Sequence, residues 1–91
     1  MNLQSLLRVS PNPANEVASV ALDLPEGFSL EGHPRIELYD GSGQLVLEQG
    51  MHQNHNQLHA RLDVRTLAGG TYYLHLRDDK RWLAGAKAIV E

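Results

Sequence analysis

Three histidines, His52, His55 and His59, are the residues of this chain whose type and spacing come nearest to a metal site. A zinc site needs three or four ligands that a rigid frame holds at about 2.0–2.1 Å from the ion. Here His52 and His55 lie in the polar, unpatterned segment 50–57, which is predicted to be an exposed loop, and His59 opens a strand. We therefore interpret the three imidazoles as solvated and expect no metal and no cofactor.

Other reactive side chains lack the arrangements that catalysis needs. The chain has no cysteine and no Gly-x-Ser-x-Gly nucleophile elbow, and its carboxylates are spread over strand faces and turns. The segment 40–43 fails the register of a calcium loop, because Leu45 and Met51 stand where such a loop needs glycine and glutamate. A chain of 91 residues also has a thin core with little room for an enclosed pocket. We predict that this chain is not an enzyme.

Basic residues form the third group that could do chemistry. Arg77, Lys80, Arg81 and Lys87 gather around the last predicted hairpin, where the alternation pattern turns them toward solvent, and Trp82 lies among them. Two interpretations stay open: a charged edge that discourages sheet-to-sheet pairing, and a docking surface, in which Arg and Trp are common anchors. The net charge of −3 gives no broad basic face, so no nucleic-acid partner is expected.

The elements that carry these residues are predicted to be strands. Apolar and polar residues alternate with a period of two along most of the chain, and prolines and glycines stand at the breaks. The segment 40–43 is expected to be a hairpin turn, because its glycines take positive φ without steric cost. Seven strands are predicted, at residues 5–9, 17–24, 34–39, 44–49, 58–64, 70–77 and 82–90.

Seven short strands with turns between them predict an all-β fold, a seven-stranded immunoglobulin-like β-sandwich. Residues 1–91 then form a single domain, in which residues 1–8 are interpreted as a linker remnant or an added start. Tyr72 follows a bend at the start of a strand, where the hydroxyl of a tyrosine corner would bond to backbone upstream. No apolar run reaches the roughly 20 residues of a membrane span, so no direct membrane insertion is expected.

The order and spacing of several short motifs resemble the type A C-terminal sorting domain of proteins that Bacteroidetes export by the type IX (Por) secretion system. A Pro-Asn-Pro motif stands before the second predicted strand, and a Leu-x-x-Gly-x-Tyr motif leads into the sixth. The resemblance extends from Leu6 to Val90. The matching residues are Pro11, Asn12, Pro13, Ile36, Tyr39, Asp40, Gly43, Val46, Leu67, Gly70, Tyr72, Lys87, Ala88, Ile89 and Val90.

This resemblance implies a non-enzymatic signal that directs a fused N-terminal cargo protein through the outer membrane, and a surface sortase that then removes it. The implied partners are the type IX outer-membrane machinery, the sortase and the cargo. The implied destination, reached through the periplasm and outer membrane, is the cell surface or the medium. Structural roles are expected for Pro11, Asn12, Pro13, Asp40, Gly43, Leu67, Gly70 and Tyr72, and contacts with the translocon for Arg77, Lys80, Arg81, Lys87, Ile89 and Val90.

A second function stays open, that of an immunoglobulin- or fibronectin-like accessory module that binds carbohydrate or another protein. Such a module should present aromatic side chains on an exposed face. The candidates for that role are Tyr39, Tyr73 and Trp82.

Overall fold

Eight antiparallel strands arranged in two sheets make up the computed structural model of the chain, which describes residues 6–11 and 14–91. The first sheet has the order β1-β2-β6-β5 and the second the order β4-β3-β7-β8. The strands are β1 (Leu7–Ser10), β2 (Val17–Asp23), β3 (Pro34–Tyr39), β4 (Leu45–Gly50), β5 (His52–Asn54), β6 (Gln57–Asp63), β7 (Gly70–Asp78) and β8 (Arg81–Val90).

The period-two pattern explains how the two sheets pack. Every second residue of β2, β6 and β7 is buried, and together with buried residues of β3 and β8 these form the core between the sheets, as a sandwich requires. The predicted all-β fold is therefore confirmed. The core residues of the first sheet include Ala18, Val20, Leu22, Leu58, Ala60 and Leu62, and those of the second sheet include Ile36, Leu38, Leu74, Leu76, Leu83 and Ala84.

The prediction of seven strands was wrong, since the described part of the chain has eight. The additional strand, β5, lies within the segment 50–57 that was predicted to be a loop. Its three side chains are all exposed, so no alternation of apolar and polar residues marks it in the sequence. A tight turn with His55 at a positive φ of 56° pairs it with β6.

Met51 marks the place where the chain passes from the second sheet to the first. Its backbone N–H donates to the Pro34 carbonyl at 3.0 Å, and its side chain packs against both clusters of core residues. One residue is therefore enough to turn the chain across the sandwich between β4 and β5.

The connection between β1 and β2 meets the C-terminal end of β8. Ala14 forms a parallel bridge with Val90, in which the Ala14 N–H donates to the Ile89 carbonyl at 2.8 Å and the Glu91 N–H donates to the Ala14 carbonyl at 2.9 Å. Ala14 directly follows the Pro-Asn-Pro motif. Of that motif Pro11 follows the end of β1, whereas Asn12 and Pro13 lie outside the described residues.

Tyr72 forms the hydrogen bond that its position predicts. Its side chain is buried, and its hydroxyl donates to the Ala68 carbonyl oxygen at 2.5 Å, across the bend that leads into β7. The Leu67 side chain packs against the same core. This confirms the predicted tyrosine-corner bond. Among the described residues no helix has the length and apolar character that crossing a membrane would require.

Replacing Tyr72 by phenylalanine removes one hydroxyl from a buried site and leaves the Ala68 carbonyl without its donor. We expect the Tyr72→Phe variant to lose about 1 kcal/mol of unfolding free energy, the net value of one hydrogen bond. Chemical denaturation would measure this loss. The matched control is Tyr73→Phe, because the neighbouring Tyr73 side chain is 45% exposed and should lose nothing. Equal stability of the Tyr72→Phe variant and the parent would contradict the assignment.

Candidate functional site

The β7–β8 hairpin, where docking residues were predicted, is built on a buried carboxylate. Asp78 has no exposed surface. It accepts hydrogen bonds from the backbone N–H of Glu31 at 2.5 Å, from that of Gly32 at 2.9 Å and from the Arg81 guanidinium at 2.8 Å. Burial on its own would raise the pKa of Asp78, but these three donors together lower the pKa below its ordinary value. Asp78 is therefore held as a carboxylate.

Arg81 is committed to the same network. Its guanidinium lies 4.8 Å from the centre of the Phe28 ring and donates to the Ser29 carbonyl at 2.9 Å as well as to Asp78. These contacts fasten the connection between β2 and β3 to the hairpin. Arg81 is half-buried, which differs from the solvent-facing position that alternation predicted.

Arg77 is likewise paired on the outer face of the second sheet. Its Nε lies 2.7 Å from a carboxylate oxygen of Glu37, which also accepts from the Tyr39 hydroxyl at 3.0 Å. Arg35 adds a second cation at 3.4 Å. Burial tends to raise the pKa of Glu37, yet the hydrogen bonds from Arg77 and Tyr39 and the two positive charges lower the pKa overall.

The residues predicted to contact a translocon therefore do not form one basic patch. Lys80, Lys87 and Ile89 are exposed. Val90, in contrast, is 4% exposed and belongs to the core, because Ile89 and not Val90 is on the outward phase of β8. The predicted contact of Val90 with a translocon stays a prediction, although its side chain is buried in the core.

Asp40 and Gly43 form the predicted hairpin turn between β3 and β4. One carboxylate oxygen of Asp40 accepts from the Ser42 N–H at 2.9 Å, the Ser42 hydroxyl at 2.6 Å and the Gln44 N–H at 3.0 Å. The hydrogen bond from the Ser42 side chain contributes most to lowering the pKa of Asp40. Gly43 has a φ of 88°, which a side chain would oppose. Both residues shape the turn.

The outer face of the second sheet carries a cluster of rings that sequence reasoning resolved only in part. We call this surface, with Tyr39, Tyr73, His75 and Trp82, the aromatic face. The His75 ring lies between two others, 5.1 Å from Tyr39 and 6.5 Å from Trp82 between ring centres. Its buried Nδ1 has no hydrogen-bond partner among the described residues. The role of His75 was missed, although it shares the outward phase of β7 with Tyr73.

The Trp82 ring packs closely against the backbone at Gly85. A Cβ atom at Gly85 would stand 3.1 Å from the Trp82 ring and 3.2 Å from the Leu74 carbonyl oxygen. Two open depressions, of ≈ 480 and ≈ 290 Å³, adjoin this ring cluster. Tyr73 and His75 line both of them. The 40–43 turn lines the larger depression, and Trp82 and Lys87 line the smaller one.

The histidines of the 52–59 segment do not converge. His52 and His59 are paired across β5 and β6 with their ring centres 5.8 Å apart, and His55 is in the turn between these strands. Within the described ranges, no three His, Cys, Asp or Glu side chains come together as metal ligands.

Comparison with known protein families gives a match to the secretion system C-terminal sorting domain over residues 8–91. This match covers far more than half of the chain. The chain therefore belongs to the family of type IX secretion C-terminal sorting domains. No curated protein matches it.

Two solved structures share the fold at low sequence identity. One is a thermostable endoglucanase from Alicyclobacillus acidocaldarius, with a TM-score of 0.60 and 15% identity over 85% of this chain. This chain spans 12% of the endoglucanase's length. The other is CopC from Methylosinus trichosporium OB3b, with a TM-score of 0.52 and 22% identity, covering 89% of this chain and 80% of CopC. Both likenesses concern the fold alone.

The Asp78 network gives a test of what holds the hairpin. Asp78→Asn keeps the volume but replaces one acceptor oxygen by a donor, which then faces a backbone N–H or Arg81. We expect a loss of about 2 kcal/mol in unfolding free energy at neutral pH.

The pKa of Asp78 is lower in the folded chain than its ordinary value of 3.8, so the carboxylate stabilises the fold above that pH. As the pH falls below 3.8 through the folded value, this contribution is lost, and the difference between the parent and Asp78→Asn should narrow. Denaturation across a pH series measures both effects. The matched control is Asp79→Asn, at an exposed neighbour whose positive φ asparagine tolerates. A similar loss in the two variants would contradict the assignment.

Proposed function

We propose that this domain is a non-enzymatic signal that directs a fused N-terminal cargo protein across the outer membrane through the type IX secretion system. The observation that carries the proposal is the family match over residues 8–91. A sorting domain of this family implies a type IX machinery, a cargo, and export to the cell surface or extracellular space. We further propose that the route leads through the periplasm and that a surface sortase removes the domain.

The physical character of the fold supports a signal that is read in its folded form. The two sheets enclose an apolar core, and Tyr72, Asp78 and Asp40 each hold a connection with side-chain hydrogen bonds. A partner that docks on a rigid surface does not have to order it first, which lowers the entropic cost of binding. A folded tag can therefore be recognised with a modest contact area.

The strand order supports an immunoglobulin-like type of sandwich. In that fold the strands A, B, E and D form one sheet and C, F and G the other. Here β1-β2-β6-β5 has the first order, and β3-β7-β8 has the second, with β4 added beside β3. We infer the same connectivity for this domain.

A second candidate function is an accessory module that binds carbohydrate or protein. The observation in its favour is that Tyr39, Tyr73 and Trp82, the candidate aromatic residues, share the aromatic face. A glycan array separates this function from a sorting role, because a sorting domain should bind none of the immobilised sugars.

The export experiment uses residues 1–91 fused to the C-terminus of a periplasm-targeted fluorescent protein, in a bacterium with a working type IX system. We expect the fusion to reach the surface or medium, and a shorter product wherever the sortase acts. The reporter without the domain should stay in the periplasm.

A second control tests whether the signal must be folded. Leu74→Asp puts a charge into a site with no exposed surface, so this variant should unfold and should not be exported. Equal export of the reporter with and without the domain would refute a sorting function.

A further inference from the structure

Large exposed apolar side chains collect on one side of the sandwich. Among the described residues these are Leu45, Val46, Tyr73 and Ile89, each 36–45% exposed. All four belong to strands of the second sheet. The outward positions at the centre of the first sheet are small, polar or charged instead, as with Ser19 and Arg61, which are cross-strand neighbours. Clustered apolar exposure on a small domain is typical of an interaction site.

The strand register brings these side chains into line. Leu45 pairs with Tyr39, Tyr39 with Tyr73, and Tyr73 with Lys87, so that one line of residues crosses the whole second sheet. Ile89 stands on the next outward position of β8. The aromatic face therefore has a mainly apolar band that crosses the second sheet and has Lys87 at its β8 edge.

The arginines and glutamates on this side of the sheet are paired with one another. Arg77 pairs with Glu37 at 2.7 Å, and Arg35 pairs with Glu37 at 3.4 Å and with Glu48 at 3.5 Å. Two cations thus offset two carboxylates next to the apolar band. A partner of matching electrostatics carries no strong charge, because a strongly charged one would gain little from these neutralised groups.

The shape of the aromatic face can accommodate side chains that protrude from a partner. Tyr73 and His75 contribute to both depressions, one of which extends to the 40–43 turn and the other to Trp82. An apolar side chain on either side of Tyr73 would be flanked by rings. Buried aromatic anchors of this kind dominate the energetics of protein interfaces.

We propose that the aromatic face docks an uncharged, apolar protein segment of the outer-membrane export machinery, with Tyr73 at the centre of the contact. This inference rests on the proposed sorting function. It assigns recognition to the apolar band, whereas most of the docking residues predicted from the sequence were cations of the β7–β8 hairpin. Arg77 and Arg81 are engaged in ion pairs inside the domain, where they stabilise its connections.

A protein segment fits this face better than a glycan. Flat stacking of a sugar needs a ring surface, but the planes of Tyr39 and His75 are inclined by 54° and those of His75 and Trp82 by 88°. The aliphatic side chains Leu45 and Ile89 add exposed surface that apolar residues of a protein cover well.

The test compares Tyr73→Glu with Ser19→Glu in the export experiment described above. Both variants add one negative charge at an exposed outward position, one on each sheet. Unfolding curves of both variants are measured to check that each remains folded. We expect export of the Tyr73→Glu fusion to fall by about tenfold or more, as for loss of an interface anchor. Export of the Ser19→Glu fusion should equal that of the parent.

Two further variants identify the chemistry of the contact. Tyr73→Phe keeps the apolar ring and should be exported normally, while a loss of export would indicate a contact through the hydroxyl, as to a glycan, and would overturn the proposal. Lys80→Glu changes an exposed cation of the hairpin and should also be exported normally.

The experiment distinguishes a failure of the docking proposal from a failure of the sorting function. Normal export of a folded Tyr73→Glu fusion, or a loss confined to Lys80→Glu, would overturn docking on the aromatic face and leave the sorting function standing. Retention of the parent fusion in the periplasm would overturn the sorting function itself, and with it the docking role.

Discussion

The pairing of β7 with β8 is the interaction on which most of the structure depends. Along its inner side, leucines and a tyrosine of β7 stand opposite alanines of β8, with Leu74 facing Ala86 and Leu76 facing Ala84. Small residues on one strand leave space for large ones on the other, so the first sheet can close over both at native packing density. On the outer side the same complementarity recurs, because His75 faces Gly85 and leaves room for the Trp82 ring. The alanine-rich sequence of β8 is therefore a packing requirement of β7.

Both ends of this hairpin secure other parts of the chain. At the turn, the Asp78 carboxylate and Arg81 hold the connection between β2 and β3. At the opposite end, Val90 pairs with Gly70 and bridges to Ala14. Removing β8 would therefore remove core residues and expose Asp78 and the edge of β7 together. For this reason a point substitution on the surface is a sharper probe of recognition than a truncation.

Alternation in the sequence was enough to predict the all-β fold and the inward residues of the long strands, because one buried face imposes a period of two. Turn chemistry located the 40–43 turn and the Tyr72 hydrogen bond for a similar reason, since each needs a particular residue type. Strand β5 was not predicted, because both of its faces are exposed. The ion pairs of Arg77 and Arg81 could not be predicted either. Their partners Glu37 and Asp78 are identified by strand register and by the path of a loop, and the alternation pattern gives no information on either.

The residues that make the family recognisable are therefore different from those that best fit a docking role. Asp40, Gly43 and Tyr72 belong to the sequence motifs, and each performs a structural task that few other residue types can perform: a carboxylate cap, a positive φ and a hydroxyl donor at a corner. An apolar contact is less demanding, because many side chains can cover similar area. A motif search consequently detects the requirements of the fold. The surface that a partner reads becomes visible only when the register shows that Leu45, Tyr39 and Tyr73, which are far apart in sequence, form one band.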